Sequence, residues 1–404
     1  MSTDGVSPAN NGPLTGVRVI DLTAAVLGPV ATQHLGELGA DVIKIEPPEG
    51  EFMRVMGPSR NAGMGAYFLT INRNKRSVVL DLKTSAGRAA LMKLAETADV
   101  LVHNMRVAAA ERMGLNYAAL SARNPRIILA AGIGFNQGGR YRDRPAFDDI
   151  IQGESGIATL IDKANGSPRY LPMAMCDKLV GLQLASAIGM ALYRREKTGV
   201  GQEVQVPMLE TMVAFNLIDH LWGAVLDEPE RGVGYPRMFT QNRRPYATKD
   251  GHICVIANSD EQWARLLAAL GRPELVTDPR FATLAARTVH IDTVLGIVAE
   301  QLTQRTTAQW RTVLDKADVP NGAMNSLTDI LADPHLADID FFKRIEHPSE
   351  GRTVMMGVAP QFSESPGGVW RGAPQLGEHT TEVLEEAGFS AADIAASSGT
   401  GTPG

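Results

Sequence analysis

At 404 residues the chain is longer than one small core can organise and calls for about two or three domains. Its 44% hydrophobic and 21% charged residues are those of an ordinary globular protein, which excludes disordered and fibrous classes. Against 45 Asp plus Glu, the 39 Lys plus Arg leave a net charge of -6, so there is no basic surplus for a phosphate backbone and nucleic acid is not expected as a partner.

The opening MSTDGVSPANNG is polar and lacks the basic and apolar regions of a secretion signal, so the protein is expected to stay in the cytoplasm. Residues 17–22 (VRVIDL) are an apolar, β-branched run. A short helix follows over 29–38, with Pro29 in its first turn and Gly39 as its stop, and then a second strand, 41–46 (DVIKIE). Strand, helix and strand in so short a span make a βαβ unit with parallel pairing. The pattern repeats as a strand over 77–82 (SVVLDL), a helix over 85–98 with Leu91, Leu94, Ala95 and Ala98 on one face, a strand over 99–104 (DVLVHN), a helix over 108–122 and a strand over 126–131. Such alternation predicts an open parallel sheet with helices on both faces.

The apolar stretch 179–193 is interrupted by Gln183 and Ser186 and falls short of the roughly 20 residues that a bilayer demands, so it reads as part of a long buried helix over 178–197 and no membrane partner is expected. A strand (EVQVPM) and a helix over 209–225 follow. Residues 226–246 are rich in Pro, Gly and Arg without periodicity and read as a linker between a first domain, 1–225, and a smaller one, 247–325. The segment 326–404 carries a short helix, a β-like stretch and a helix over 378–387, and the last eight residues, SSGTGTPG, are expected to be disordered. Cys176 and Cys254 form no CxxC pair and have no His at ligand spacing, so they read as two reduced, buried thiols, with no disulfide framework or metal site.

A dinucleotide site is the first chemistry to test, with Glu46 closing the second strand where a ribose-binding acid would stand. The first turn, TAAVLGPVA, has one Gly followed by Pro29, so no glycine pattern lets the backbone approach a pyrophosphate, and Glu46 reads as a solvated strand end. NRNKR, at 72–76, packs Arg73, Lys75 and Arg76 before a strand and reads either as a phosphate cradle or as a solvated loop. Asn104, Arg106 and Arg112 follow DVLVHN at a carboxyl end of the sheet. Asp177 precedes the apolar helix, where it is either an N-cap or, kept ionised by the helix dipole, a nucleophile. Asp148 and Asp149 mark a helix start, and the eight histidines form no triad pattern.

Together the motifs resemble a family III CoA-transferase (CaiB/BaiF family), the group of formyl-CoA transferases, carnitine CoA-transferases and 2-methylacyl-CoA racemases. The likeness runs nearly end to end, through GVRVIDLT, GPVATQHLGELGADVIKIEPP, NRNKRSVVLDLK, ERMGL, AFDDIIQGESG, LYRREKTGVGQEVQVPM, GRPELVTDPRF and LGEHTTEVL. It implies an α/β fold with a Rossmann-like large domain built from both chain ends, a smaller α/β domain, and an interlocked ring homodimer. It implies coenzyme A or acyl-CoA and a small carboxylic acid as substrates, with no permanently bound cofactor. Carried over by position, the CoA pocket uses Val26 and Leu27, then Asn72, Arg73, Asn74, Lys75 and Arg76, then Asn104, Met105, Arg106 and Arg112, and finally Pro145, Ala146, Phe147 and Asp148. Asp177 falls at the catalytic aspartate, which would exchange CoA through an aspartyl anhydride and an aspartyl-CoA thioester. The chain departs from the formyl-CoA transferase pattern at Val26, which replaces Gln, and at Pro47, which replaces Arg; YATKDG lacks the tetraglycine loop before it. A racemase, the rival reading, works by a His–Asp pair and a Glu, whose His and Glu positions hold Phe147 and Ala247. A non-catalytic CoA-binding protein is the third reading, which the presence of Asp177 disfavours. No residue type announces the acid pair.

Overall fold

The computed structural model describes residues 11–399; most of the polar leader and the end of the C-terminal tail lie outside them. Six strands form one parallel sheet: β1 (Arg18–Leu22), β2 (Asp41–Glu46), β3 (Lys75–Val79), β4 (Val100–His103), β5 (Ile128–Ile133) and β6 (Glu203–Pro207), in the order β3-β2-β1-β4-β5-β6. That is the doubly wound order, in which the chain reverses direction across the sheet between β1 and β4. Register aligns Ile20 with Ile43 on one side and with Leu101 on the other, and Leu101 with Leu129. These residues are fully or almost fully buried, and Leu91 and Leu94 of the helix Ser85–Ala95 pack on them with Leu120, Val383 and Leu384. Burial on both faces is what an apolar, non-alternating strand text encodes.

Differences from the sequence reading have local causes. The helix expected over 108–122 is two helices, Val107–Arg112 and Tyr117–Arg123. Gly114, at φ +76°, ends the first, and the Asn116 side chain caps the second by accepting from Ala119 N. Strand β3 starts at Lys75 because its two cations are buried in ion pairs rather than exposed. The long helix runs Met175–Thr198 and is, among the described residues, the one helix long and apolar enough to cross a bilayer. Here Val180, Leu184, Ile188 and Leu192 are buried along one face, against the helix Leu27–Glu37 and β5 and β6. Cys176 is buried, but Cys254 is exposed, against expectation.

The chain divides into two units. The first holds the large sheet, residues 171–214 and the segment from His335 onward. That segment forms an antiparallel hairpin and two helices, Thr380–Glu386 against β3 and Ala391–Ser397 against the helix Ser85–Ala95. His379 N–H donates to Ser77 O at 2.9 Å and Asp81 N–H to Ser397 O at 2.8 Å, so the first residue of the tail expected to be disordered ends a helix instead. The second unit comprises residues 156–170 and 215–334, where the sequence reading had a smaller domain over 247–325. Its antiparallel sheet is β7 (Tyr246–Ala247), β8 (His252–Val255) and β9 (Asn321–Ala323). Trp263, Leu266, Val294, Val298, Trp310 and Leu314 fill its core. Residues 226–246 are not a free linker: they wind through short helical turns at Pro229–Arg231 and Pro236–Phe239 and end in β7, within this unit.

Candidate active site

The carboxyl ends of β1 and β4 flank the point where strand order reverses, the place where ligands of such sheets bind. After β1, Asp21 Oδ1 accepts from Thr23 N at 2.8 Å and from Thr23 Oγ1 at 2.5 Å, and Lys44 Nζ donates to Thr23 O at 2.9 Å. This bends the chain into Ala25, whose φ of +65° is rare for a residue with a Cβ. Gly28 follows because a Cβ there would lie 2.2 Å from Thr23 Cβ. From the end of β4, the Asn104 amide clasps the same turn, accepting from Ala24 N at 3.0 Å and donating to Ala24 O at 2.7 Å.

Between these loops opens a cleft continuous with solvent. Leu27, Asn104, Met105 and Arg106 line it, as do Pro145, Ala146, Phe147 and Asp177, so the structure brings together eight of the expected residues. Arg106 is exposed and makes no ion pair among the described residues. Ala25, Gln137, Arg142, Arg144 and the Gly132–Gly134 backbone complete much of the wall and were not anticipated. The alternating arginines of GGRYRDRP, beyond the carboxyl end of β5, were the available signal.

Asp177 is the third residue of its helix, not the cap. The cap comes from 29 residues upstream: Asp148 Oδ1 accepts from Asp177 N at 3.0 Å, while Gln152 Nε2 holds Asp148 Oδ2 at 2.6 Å. Asp148 itself opens the helix Asp148–Glu154 and lies behind the wall. The dipole does not keep Asp177 strongly acidic, as the sequence reading had it. Burial first, and the Asp148 carboxylate second, push its carboxyl up to about 7. Burial, followed by the same two carboxylates, raises the Tyr67 phenol and pushes the neighbouring Cys176 thiol up to about 12. That thiol is no competitor as a nucleophile.

The expected pocket residues of NRNKR are committed elsewhere. Lys75 Nζ is fully buried, 3.0 Å from Asp21 Oδ2 and 2.9 Å from Asn72 Oδ1. Burial opposes charge on Asp21, but Lys75 and Lys44 outweigh it and hold that carboxyl well below the usual range. Arg73 pairs with Glu37, and Asn74 binds the backbone of Gly368, Trp370 and Arg371. Arg76 reaches Asp41 at 2.7 Å, Glu382 at 2.9 Å and Glu386 at 2.8 Å. The cluster is therefore neither a solvated loop nor a set of free cations for phosphates: its charges are neutralised inside the fold. Val26 is buried beside Met53 and Phe68, and Arg112 is exposed at a helix end, off the cleft wall. Glu46 is likewise no solvated strand end, since its carboxylate is buried on Arg54 at 2.6 Å.

Among the residues lining the cleft, Asp177 supplies the one carboxyl, and no thiol or imidazole accompanies it. This constellation matches what comparison finds. The model of CoA-transferase family III fits residues 14–380. The succinyl-CoA–D-citramalate CoA-transferase of Chloroflexus aurantiacus is 34% identical over 384 residues, covering 93% of this chain and 94% of that one. The succinate–glutarate CoA-transferase of Agrobacterium fabrum is 33% identical over 94% of this chain and 96% of its own. Among solved structures, Rv3272 from M. tuberculosis superposes with a TM-score of 0.81 at 29% identity, covering 92% of this chain and 99% of that one. A CAIB/BAIF family protein from Brucella suis gives 0.77 at 30% identity, covering 93% of this chain and all of that one. With the match running along nearly the whole chain and a carboxyl set in the cleft at the switch point, the chain belongs to CoA-transferase family III.

Proposed function

We propose that the protein moves CoA from an acyl-CoA to a carboxylic acid by covalent exchange at Asp177. The observation that carries this reading is the solitary carboxyl of Asp177 on the wall of a solvent-open cleft at the carboxyl ends of β1 and β4. Asp177 carboxylate attacks the thioester carbonyl, the C–S bond breaks, and CoA leaves as the thiolate, giving a mixed anhydride. The thiolate then attacks Cγ of Asp177, and the donor acid leaves as its carboxylate from an aspartyl-CoA thioester. The acceptor carboxylate repeats the two steps in reverse, so the thioester bond is exchanged without water.

Phe147 stands on the cleft wall where a racemase would need a proton-accepting imidazole, and a phenyl ring accepts no proton. The donor is a dicarboxylic acyl-CoA, as succinyl-CoA is for the Chloroflexus aurantiacus relative. Arg106, without an ion pair among the described residues, offers a cation on the same wall to a distal carboxylate or to a CoA phosphate, while Arg142 and Arg144 are held by Asp143 and Glu154. The working unit is a homodimer. Met190 and Tyr193 of the helix Met175–Thr198 are 68% and 67% exposed, and Ile218 of the helix Met208–His220 is 82% exposed, apolar area that a partner copy would cover. The test is acyl exchange between succinyl-CoA and a panel of acids. Asp177→Ala should abolish it, and loss of activity only through unfolding, seen by circular dichroism, would remove the support for Asp177.

A further inference from the structure

The second unit holds a pocket lined by its own residues alone. The arginine-rich segment before β7 contributes Arg237, Arg243 and Arg244, the strands β7 and β8 contribute Tyr246 and Cys254, and the helix Asp260–Ala269 contributes Trp263. The rest of the wall is apolar apart from Pro245 and backbone, and no Asp or Glu lines it. Arg237 has both terminal nitrogens 3.3 Å from Asn258 Oδ1, a neutral acceptor, and Arg243 and Arg244 are exposed without an ion pair among the described residues. Four other arginines of this unit are paired, Arg265 with Asp318, Arg272 with Glu274, Arg280 with Asp278 and Arg287 with Asp260, whereas these three converge on one pocket without a carboxylate. Burial pushes the Tyr246 phenol up to about 12 although all three guanidiniums pull it down, which puts the three charges within reach of one ring.

Three uncompensated cations around an apolar hollow lack two things, negative charge and apolar area, and one ligand can supply both. We propose that this pocket binds an organic anion with an apolar body, a carboxylic acid first among them. Guanidinium forks match a carboxylate or a phosphate in two-point geometry, and Leu266, Leu295 and Val298 offer the body a dry wall that an inorganic ion would not use. The choice of a carboxylic acid rests on the transferase reading, which hydroxylamine trapping at Asp177 tests separately. A phosphate-bearing ring compound, such as the nucleotide end of CoA, is the other source of the same chemistry.

Cys254, exposed on the pocket wall, is a built-in reporter, while Cys176 is buried. With the full-length protein, anionic iodoacetate should alkylate Cys254 faster, relative to neutral iodoacetamide, than it alkylates free cysteine. Hexanoate should protect Cys254, and the Arg243→Gln/Arg244→Gln variant should weaken that protection by about tenfold or more and return the reagent ratio to the free-cysteine value. The Arg243→Lys/Arg244→Lys variant, which keeps the charge, should hold the ratio raised. Protection by adenosine 3′,5′-bisphosphate but not hexanoate, lost in the Gln variant, would assign the pocket to the nucleotide end. No protection by either compound, or equal protection in the Gln variant, would overturn the proposal.

Discussion

Asp177 has to be ionised to attack a carbonyl, and its surroundings hold its carboxyl near the middle of the working range. A carboxyl pushed up to about 7 is protonated below that pH and ionised above it. The kcat/KM for acyl-CoA should therefore rise between pH 6 and 8 along a single limb centred near 7. Asp148→Asn removes the second cause of the shift, so the limb should move to lower pH; a limb unmoved in that variant would show that Asp148 does not act on Asp177. The same shift costs stability. An ordinary Asp in the unfolded chain binds fewer protons than Asp177 in the folded one between about pH 4 and 7, so stability falls as pH rises through that window. Asp177→Asn should accordingly stabilise the fold at pH 8, by on the order of 2 kcal/mol, and have little effect at pH 4, as urea titration would show. None of this was legible locally, because the residue that raises and caps Asp177 lies in another helix.

At the scale of elements, the strands were legible wherever burial and apolarity coincide. DVIKIE gave β2 to the residue even though Lys44 and Glu46 are buried in it, since its β-branched residues and the stop at Gly39 outweigh two charges. β3 was misplaced because KRSVV looks half solvated while its lysine and arginine are neutralised by Asp21, Asp41, Glu382 and Glu386. The consequence is a reversal of what NRNKR should do when altered. Lys75→Ala leaves Asp21 buried and without its closest cation, a loss of about 3–5 kcal/mol, so the variant should show a lowered urea midpoint. A stable variant with only a raised KM would put Lys75 back at the substrate. Asn104→Ala, by contrast, removes both bonds of the clasp on the Ala24 backbone, about 1 kcal/mol each. It should raise KM for acyl-CoA more than it lowers kcat, because it loosens the turn that carries Ala25 and Leu27.

For the whole molecule, the alternation of strands and helices disclosed the parallel sheet. The second unit's true limits were hidden: the helix Ile157–Asn165 belongs to it, and the Pro/Gly/Arg text that reads as a linker is folded into it. Composition marks where periodicity stops, not where packing does. The exposed apolar residues of two helices predict that light scattering at micromolar concentration gives twice the 43.3 kDa chain mass, and a stable monomer would contradict the homodimer. The most direct test of the account is trapping with hydroxylamine in the presence of succinyl-CoA, followed by peptide mass spectrometry. Covalent exchange predicts a hydroxamate at Asp177 and at no other residue, because the anhydride and the enzyme thioester are both acyl electrophiles at that carboxyl. An unmodified Asp177 in an enzyme that turns over, with deuterium from solvent entering the α-position of the acyl group, would contradict it.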